Sequence, residues 1–124
     1  MNRVVLFATV AAMFGAAPAI AHPKVVSATP AAGSTVAAPT SVALTLSEKL
    51  MPKLSGATMV MTGMPGMADH APMKIPAATS VGADGKTITL KPSKKLPAGM
   101  YRVDWYAVSG DTHRVTGTHE FAVK

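Results

Sequence analysis

Four methionines and one histidine recur at every third position in Met61-Thr-Gly-Met64-Pro-Gly-Met67-Ala-Asp-His70-Ala-Pro-Met73. Thioethers and imidazoles are soft, mostly neutral ligands, and such ligands select Cu(I) over harder ions. Methionine is also a flexible core filler, and a methionine-rich surface can serve adaptable binding. Core filling accounts for one or two of these residues, not for five ligand-type side chains set among glycines and prolines. Gly63, Pro65, Gly66 and Pro72 interrupt any helical pattern here. An extended polyproline-II-like segment has three residues per turn and lines all five side chains along one face. A loop that folds them around one point is equally compatible with the spacing.

A second set is scattered in sequence. Residues 1–21 read as a secretory signal: Arg3 gives the positive start, residues 4–16 the apolar run, and Ala19-Ile-Ala21 a small-residue cleavage site. The run is short for a membrane anchor and Pro18 follows it. Cleavage exposes the α-amine of His22, which can chelate a metal together with Nδ1. Pro23 lacks a backbone N–H, so the next peptide nitrogen cannot compete as a ligand. Asp111-Thr-His113 adds a carboxylate and a second imidazole. Two residues apart on an extended segment, these side chains face the same way. Amine, two imidazoles and a carboxylate suit tetragonal Cu(II). Glu48 is a candidate axial ligand, or an acceptor that orients an imidazole. Taken singly, each has a bland reading as a surface histidine, a turn aspartate or a solvated glutamate.

The elements that position these residues read as strands. Turn residues recur every several positions, and short alternating runs lie between them, the pattern of an all-β sandwich. Seven strands are expected, near 24–29, 41–47, 57–61, 74–81, 86–91, 100–108 and 114–123. Val42, Leu44 and Leu46 share one face, as do Tyr101, Val103, Trp105 and Ala107. Met59 and Met61 share a strand face; Met59 could join the methionine cluster but has the parity of core positions. His119 shares the inward parity of Phe121 and Val123 and reads as a partly buried histidine. Trp105 reads as core, Met51 and Met100 as core or rim. If each connection reverses the chain, His22, Glu48 and the tip 111–113 fall at one end and the methionine stretch at the other. Strands of six to eight residues put roughly 20–27 Å between them.

Of 124 residues, 103 follow the expected signal, enough for one sandwich-sized core. There is no cysteine, which excludes disulfides and thiolate ligands. The net charge of +6 falls to +5 without Arg3. The lysines look scattered and aromatics are few, which reads as a solvated surface and not as a nucleic-acid footprint. Weak attraction to an anionic membrane surface or acidic partner is compatible with the charge. No second hydrophobic span follows the signal, so the processed chain does not cross a membrane.

These residues together resemble the CopC/PcoC periplasmic copper-resistance proteins. The resemblance runs from His22-Pro through Ser47-Glu48, the methionine stretch and Tyr-Arg-Val-Asp-Trp at 101–105 to Asp-Thr-His at 111–113. It implies a seven-stranded immunoglobulin-like Greek-key β-sandwich or barrel over 22–124, with a Cu(II) site and a Cu(I) site at opposite ends. It implies His22 (side chain and amine), Asp111 and His113 as Cu(II) ligands, with Glu48 close by. It implies Met61, Met64, Met67, His70 and Met73 as a Cu(I) pool from which three or four bind at once. His119 and Met59 match no family ligand.

The function expected is a non-enzymatic periplasmic copper carrier for resistance or homeostasis. It would buffer copper or pass it to a CopD-like inner-membrane transporter or a periplasmic multicopper oxidase. The alternative is a histidine-brace copper oxidase of the polysaccharide monooxygenase type. Asp111 weighs against it by occupying a position that oxygen needs. A third reading, an adhesion or structural sandwich with incidental metal affinity, predicts that Met64, Met67 and His70 are dispensable.

Overall fold

The computed structural model describes Gly15, residues 22–67 and residues 70–124. The signal expected over 1–21 lies outside the described residues, Gly15 apart. Nine strands follow: β1 (Val25–Thr29), β2 (Thr35–Val36), β3 (Val42–Leu46), β4 (Gly56–Gly63), β5 (Met73–Ile75), β6 (Ala77–Val81), β7 (Thr87–Pro92), β8 (Gly99–Val108) and β9 (Arg114–Val123). The only helical element among the described residues is a 3-10 turn at Pro52–Leu54. No helix there is long and apolar enough to cross a membrane.

The strands form two sheets, ordered β1-β3-β7-β6 and β2-β9-β8-β4-β5, in an immunoglobulin-like Greek-key sandwich. All seven expected strands are present, with two differences. Residues 30–39, between the first two expected strands, include β2, which pairs in parallel with the end of β9. The expected strand 74–81 is two strands in different sheets. β5 pairs with β4 and β6 pairs with β7, and Pro76 lies between them. Proline has no N–H to give to a ladder and its φ is fixed, so the strand breaks there and the chain changes sheet.

Alternation decides which face is buried. Val42, Leu44 and Leu46 of β3 turn inward, as do Ile88 and Leu90 of β7 and Tyr101, Val103, Trp105 and Ala107 of β8. Each large apolar side chain so buried contributes about 1.5–3 kcal/mol. The Tyr101 ring stacks on Phe121 at 5.5 Å between centroids, and its hydroxyl donates to the Pro97 carbonyl at 2.6 Å. His119 is buried, as its parity implies, and its Nε2–H donates to the Pro30 carbonyl at 2.8 Å. Met51 and Met100 are exposed rim residues.

Register fixes the two ends. β1 runs antiparallel to β3, with Val25 opposite Leu46, so the chain before β1 lies beside Ser47 and Glu48. Leu50 bridges Ser109, at the end of β8. β4 runs antiparallel to β8 from Gly56 opposite Tyr106 to Gly63 opposite Met100. His22, Glu48 and 109–113 therefore share one end, and the methionine loop lies at the other. The nine strand rises from Met100 to Ser109 span roughly 30 Å. This exceeds the expected span because β8 has ten residues.

Candidate metal centres

At the first end, the two sheets contribute one side chain set each. The Lys24 N–H donates to the Ser47 hydroxyl at 3.1 Å, and the Ser47 N–H donates to the Lys24 carbonyl at 2.8 Å. With Pro23 buried, this pair directs His22 across the sandwich end toward the β8–β9 hairpin. The hairpin tip is a turn closed by Thr112 N–H to the Ser109 carbonyl at 2.9 Å. Asp111 and His113 do not lie on an extended segment as expected, because Thr112 between them has φ 64°. A β-branched residue is strained there. The turn is held by Asp111 itself: Oδ1 accepts the Ser109 hydroxyl and the His113 N–H, both at 3.1 Å.

That arrangement leaves Oδ2 for another partner. It accepts no hydrogen bond, is shielded from water, and stands 3.1 Å from His22 Nδ1. The His22 and His113 rings lie 6.0 Å apart between centroids. One ligand atom from each of His22, Asp111 and His113 falls within 4.8 Å of the others. An ion about 2.0 Å from each donor needs them within about 4 Å of one another, so a closure of under about 1 Å completes the set. Burial pushes the Asp111 carboxyl up. The His113 N–H, the Ser109 hydroxyl and the positive charge that His22 and His113 can carry outweigh it, and hold the group below the usual carboxylate range. Its ligand form is the one favoured. Glu48 is half-buried at the same end but is not part of this three-residue group. Sequence reasoning missed Ser109; the signal was a hydroxyl two residues before a turn aspartate.

At the second end, the methionines do not line a single face. Met61 is 4% exposed and belongs to the core with Met59, because β4 continues to Gly63. The polyproline-II expectation fails at Met64, where the chain reverses. Met64 and Met67 exchange two backbone hydrogen bonds of 2.9 Å around Pro65-Gly66. Gly66 has φ 81°, so proline and glycine hold the two central positions of a type II turn. Directly opposed residues project to the same side with Cβ atoms about 5 Å apart. Met64 and Met67 thus form a pair of exposed thioethers.

His70 closes the loop onto β4 by donating its N–H to the Thr62 carbonyl at 3.1 Å. Its Nδ1–H donates to the Ala71 carbonyl at 2.8 Å. The lone pair is therefore on Nε2, which is enclosed and has no hydrogen-bond partner among the described residues. Met73 opens β5 opposite Met61 and is exposed. Met64, Met67, His70 and Met73 thus occupy one loop and sheet edge, with Met61 beneath. Met100, opposite Gly63, adds a further exposed methionine at this end.

Residues 25–124 match the model of the CopC domain. The chain belongs to the CopC family. It is 54% identical to copper resistance protein C of Pseudomonas syringae pv. tomato over 127 aligned residues, covering all of this chain and 98% of that protein. It is 52% identical to copper resistance protein C of Escherichia coli over 106 residues, 86% and 84% of the two chains. The crystal structure of PcoC, a methionine-rich copper resistance protein from E. coli, superposes with a TM-score of 0.77 at 50% identity, over 84% of this chain and all of that one. CopC from Methylosinus trichosporium OB3b gives 0.65 at 28% identity, over 83% and 94%. The CopC fold here thus spans both ends that carry the candidate ligands.

Proposed function

We propose that this protein is a periplasmic copper carrier of the copper-resistance type, with copper as cargo and no catalytic turnover. The observation that carries the reading is the convergence of His22, Asp111 and His113, with ligand atoms within 4.8 Å, on a chain whose relatives are named copper resistance proteins. After cleavage before His22, its α-amine and Nδ1, Asp111 Oδ2 and His113 hold Cu(II), with Glu48 near. The enclosed Nε2 of His70 and thioethers among Met61, Met64, Met67 and Met73 hold Cu(I). Met61 takes part only if its core position loosens. Oxidation state selects the end: when an external one-electron acceptor such as dioxygen oxidises copper held among thioethers, the resulting Cu(II) prefers nitrogen and oxygen donors. Release to a CopD-like membrane transporter or a multicopper oxidase follows from that change. The buried Asp111 carboxylate beside His22 weighs against a histidine-brace oxidase, which needs that position for oxygen.

Copper stoichiometry on protein that begins at His22 tests the reading. Cu(II) is added in air and Cu(I) without oxygen, and retained copper is counted after desalting. Two per chain, one in each oxidation state, is expected. A single retained Cu(II) returns the oxidase to consideration, and a single retained Cu(I) reduces the protein to a scavenger.

A further inference from the structure

Five of the nine lysines, spread along the sequence, share one end in space. Lys74 follows Met73 on β5, Lys91 lies near the end of β7, and Lys94 and Lys95 lie in the β7–β8 loop. Lys124 follows β9, its N–H donating to the Val36 carbonyl at 3.0 Å. The registers place all five at the methionine end, and all five are exposed. Lys94 and Lys95 border a groove of about 390 Å³ with Ala38, Pro39 and Thr40. Among the described residues none of the five pairs with a carboxylate. At the opposite end Lys24, Lys49, Lys53 and Lys86 are interspersed with Glu48, Asp84 and Asp111, while Asp104 and Glu120 sit along the flank beside Arg102, Glu120 in the same row as Lys74. The single acidic residue in the methionine loop's sequence is Asp69. Met64, Met67, Met73 and Met100 are exposed at this same end.

We propose that this end is a docking face for an acidic protein surface that carries soft metal ligands, with the methionines at the contact and the lysines steering from the rim. The inference rests on the carrier reading and names the kind of partner that the Cu(I) end meets. Methionine is enriched at protein interfaces, and clustered charge of one sign raises encounter rates. An anionic lipid surface would read the same charge. It would be anchored by exposed aromatics, and among the described residues every large exposed apolar side chain at this end is a methionine.

The test uses two synthetic acceptor peptides with identical Met-x-x-Met ligands, one flanked by aspartates and one by lysines. The Cu(I)-loaded protein is mixed with each, and copper partition is followed in time. Transfer to the acidic peptide is expected to be about tenfold faster at low salt, with the difference lost near about 0.5 M salt. The triple variant Lys94→Glu, Lys95→Glu, Lys124→Glu is expected to retain the same Cu(I) and lose or invert that preference. Equal rates for both peptides, with normal Cu(I) retention, overturn this inference alone. So does a preference that survives charge reversal. Binding to phosphatidylglycerol vesicles that the triple variant loses, without any acceptor preference, assigns the face to lipid and overturns it too. Failure to retain Cu(I) at all removes the carrier reading and this inference together.

Discussion

Asp111 faces His22 with one carboxylate oxygen and holds its own hairpin with the other. Oδ2 stands 3.1 Å from His22 Nδ1, while Oδ1 accepts the Ser109 hydroxyl and the His113 N–H. One residue thus joins the segment before β1, from the four-stranded sheet, to the β8–β9 tip of the five-stranded sheet. It also shapes the turn that presents His113.

The two oxygens can be separated by Asp111→Asn. The amide oxygen keeps the turn, and the anionic ligand is lost. Cu(II) affinity is expected to fall more than tenfold, at least about 1.4 kcal/mol, with Cu(I) binding at the far end unchanged. Competition titrations for each oxidation state measure this. Unchanged Cu(II) affinity would remove Asp111 from the ligand set.

The proposed amine ligand is tested by comparing protein that begins at His22 with protein carrying one extra alanine before it. The amine becomes an amide and no longer donates, so Cu(II) affinity is expected to fall by at least tenfold. The side chains of His22, Asp111 and His113 stay in place. Equal affinity of the two proteins would mean that the amine is not a ligand.

Acid is expected to release Cu(II), because protons and copper compete for the same ligand lone pairs. Asp111 is held below the usual carboxylate range, so its carboxylate stays ionised to lower pH than a free one. The sign for folding is separate. A carboxyl with a depressed folded pKa stabilises the fold above the ordinary carboxylate value, and that contribution is lost as pH falls through the folded value. Copper release therefore precedes any loss of the Asp111 turn. A Cu(II) titration from pH 8 to 4 checks the order, and a flat response would exclude histidine ligation.

At the methionine end, Gly66→Ala places a side chain at φ 81°, which costs about 1–2 kcal/mol. The turn can open locally without unfolding the sheets. The expected result is a several-fold weaker Cu(I) affinity with the thermal midpoint nearly unchanged. Wild-type affinity in this variant would show that the Met64–Met67 pairing is not what gathers the thioethers.

The strand pattern was legible because a half-buried strand must alternate. Val42, Leu44 and Leu46 reveal an inward face without any partner in view. The segment 74–81 was harder, because a short polar strand reads alike whether it stays in one sheet or crosses at Pro76. Met61 carried two expectations, a strand face shared with Met59 and a place in the period-three stretch; β4 extends to Gly63 and draws its side chain into the core. Pairing with β8 decides this, and β8 is about 40 residues away in sequence.

By itself the sequence determined the chemical inventory: thioethers and imidazoles without thiols, a histidine followed by proline, and enough alternating strands to set the two groups at opposite ends by parity. Tertiary structure decided which atoms meet. Only the folded chain brings His22 Nδ1 to Asp111 Oδ2, leaves Nε2 of His70 enclosed, buries Met61, and gathers five lysines around the exposed methionines. Local propensity acts over a few residues, whereas these relationships depend on pairing between strands distant in the chain. Their geometry is set by sheet register and by which face the core excludes from water.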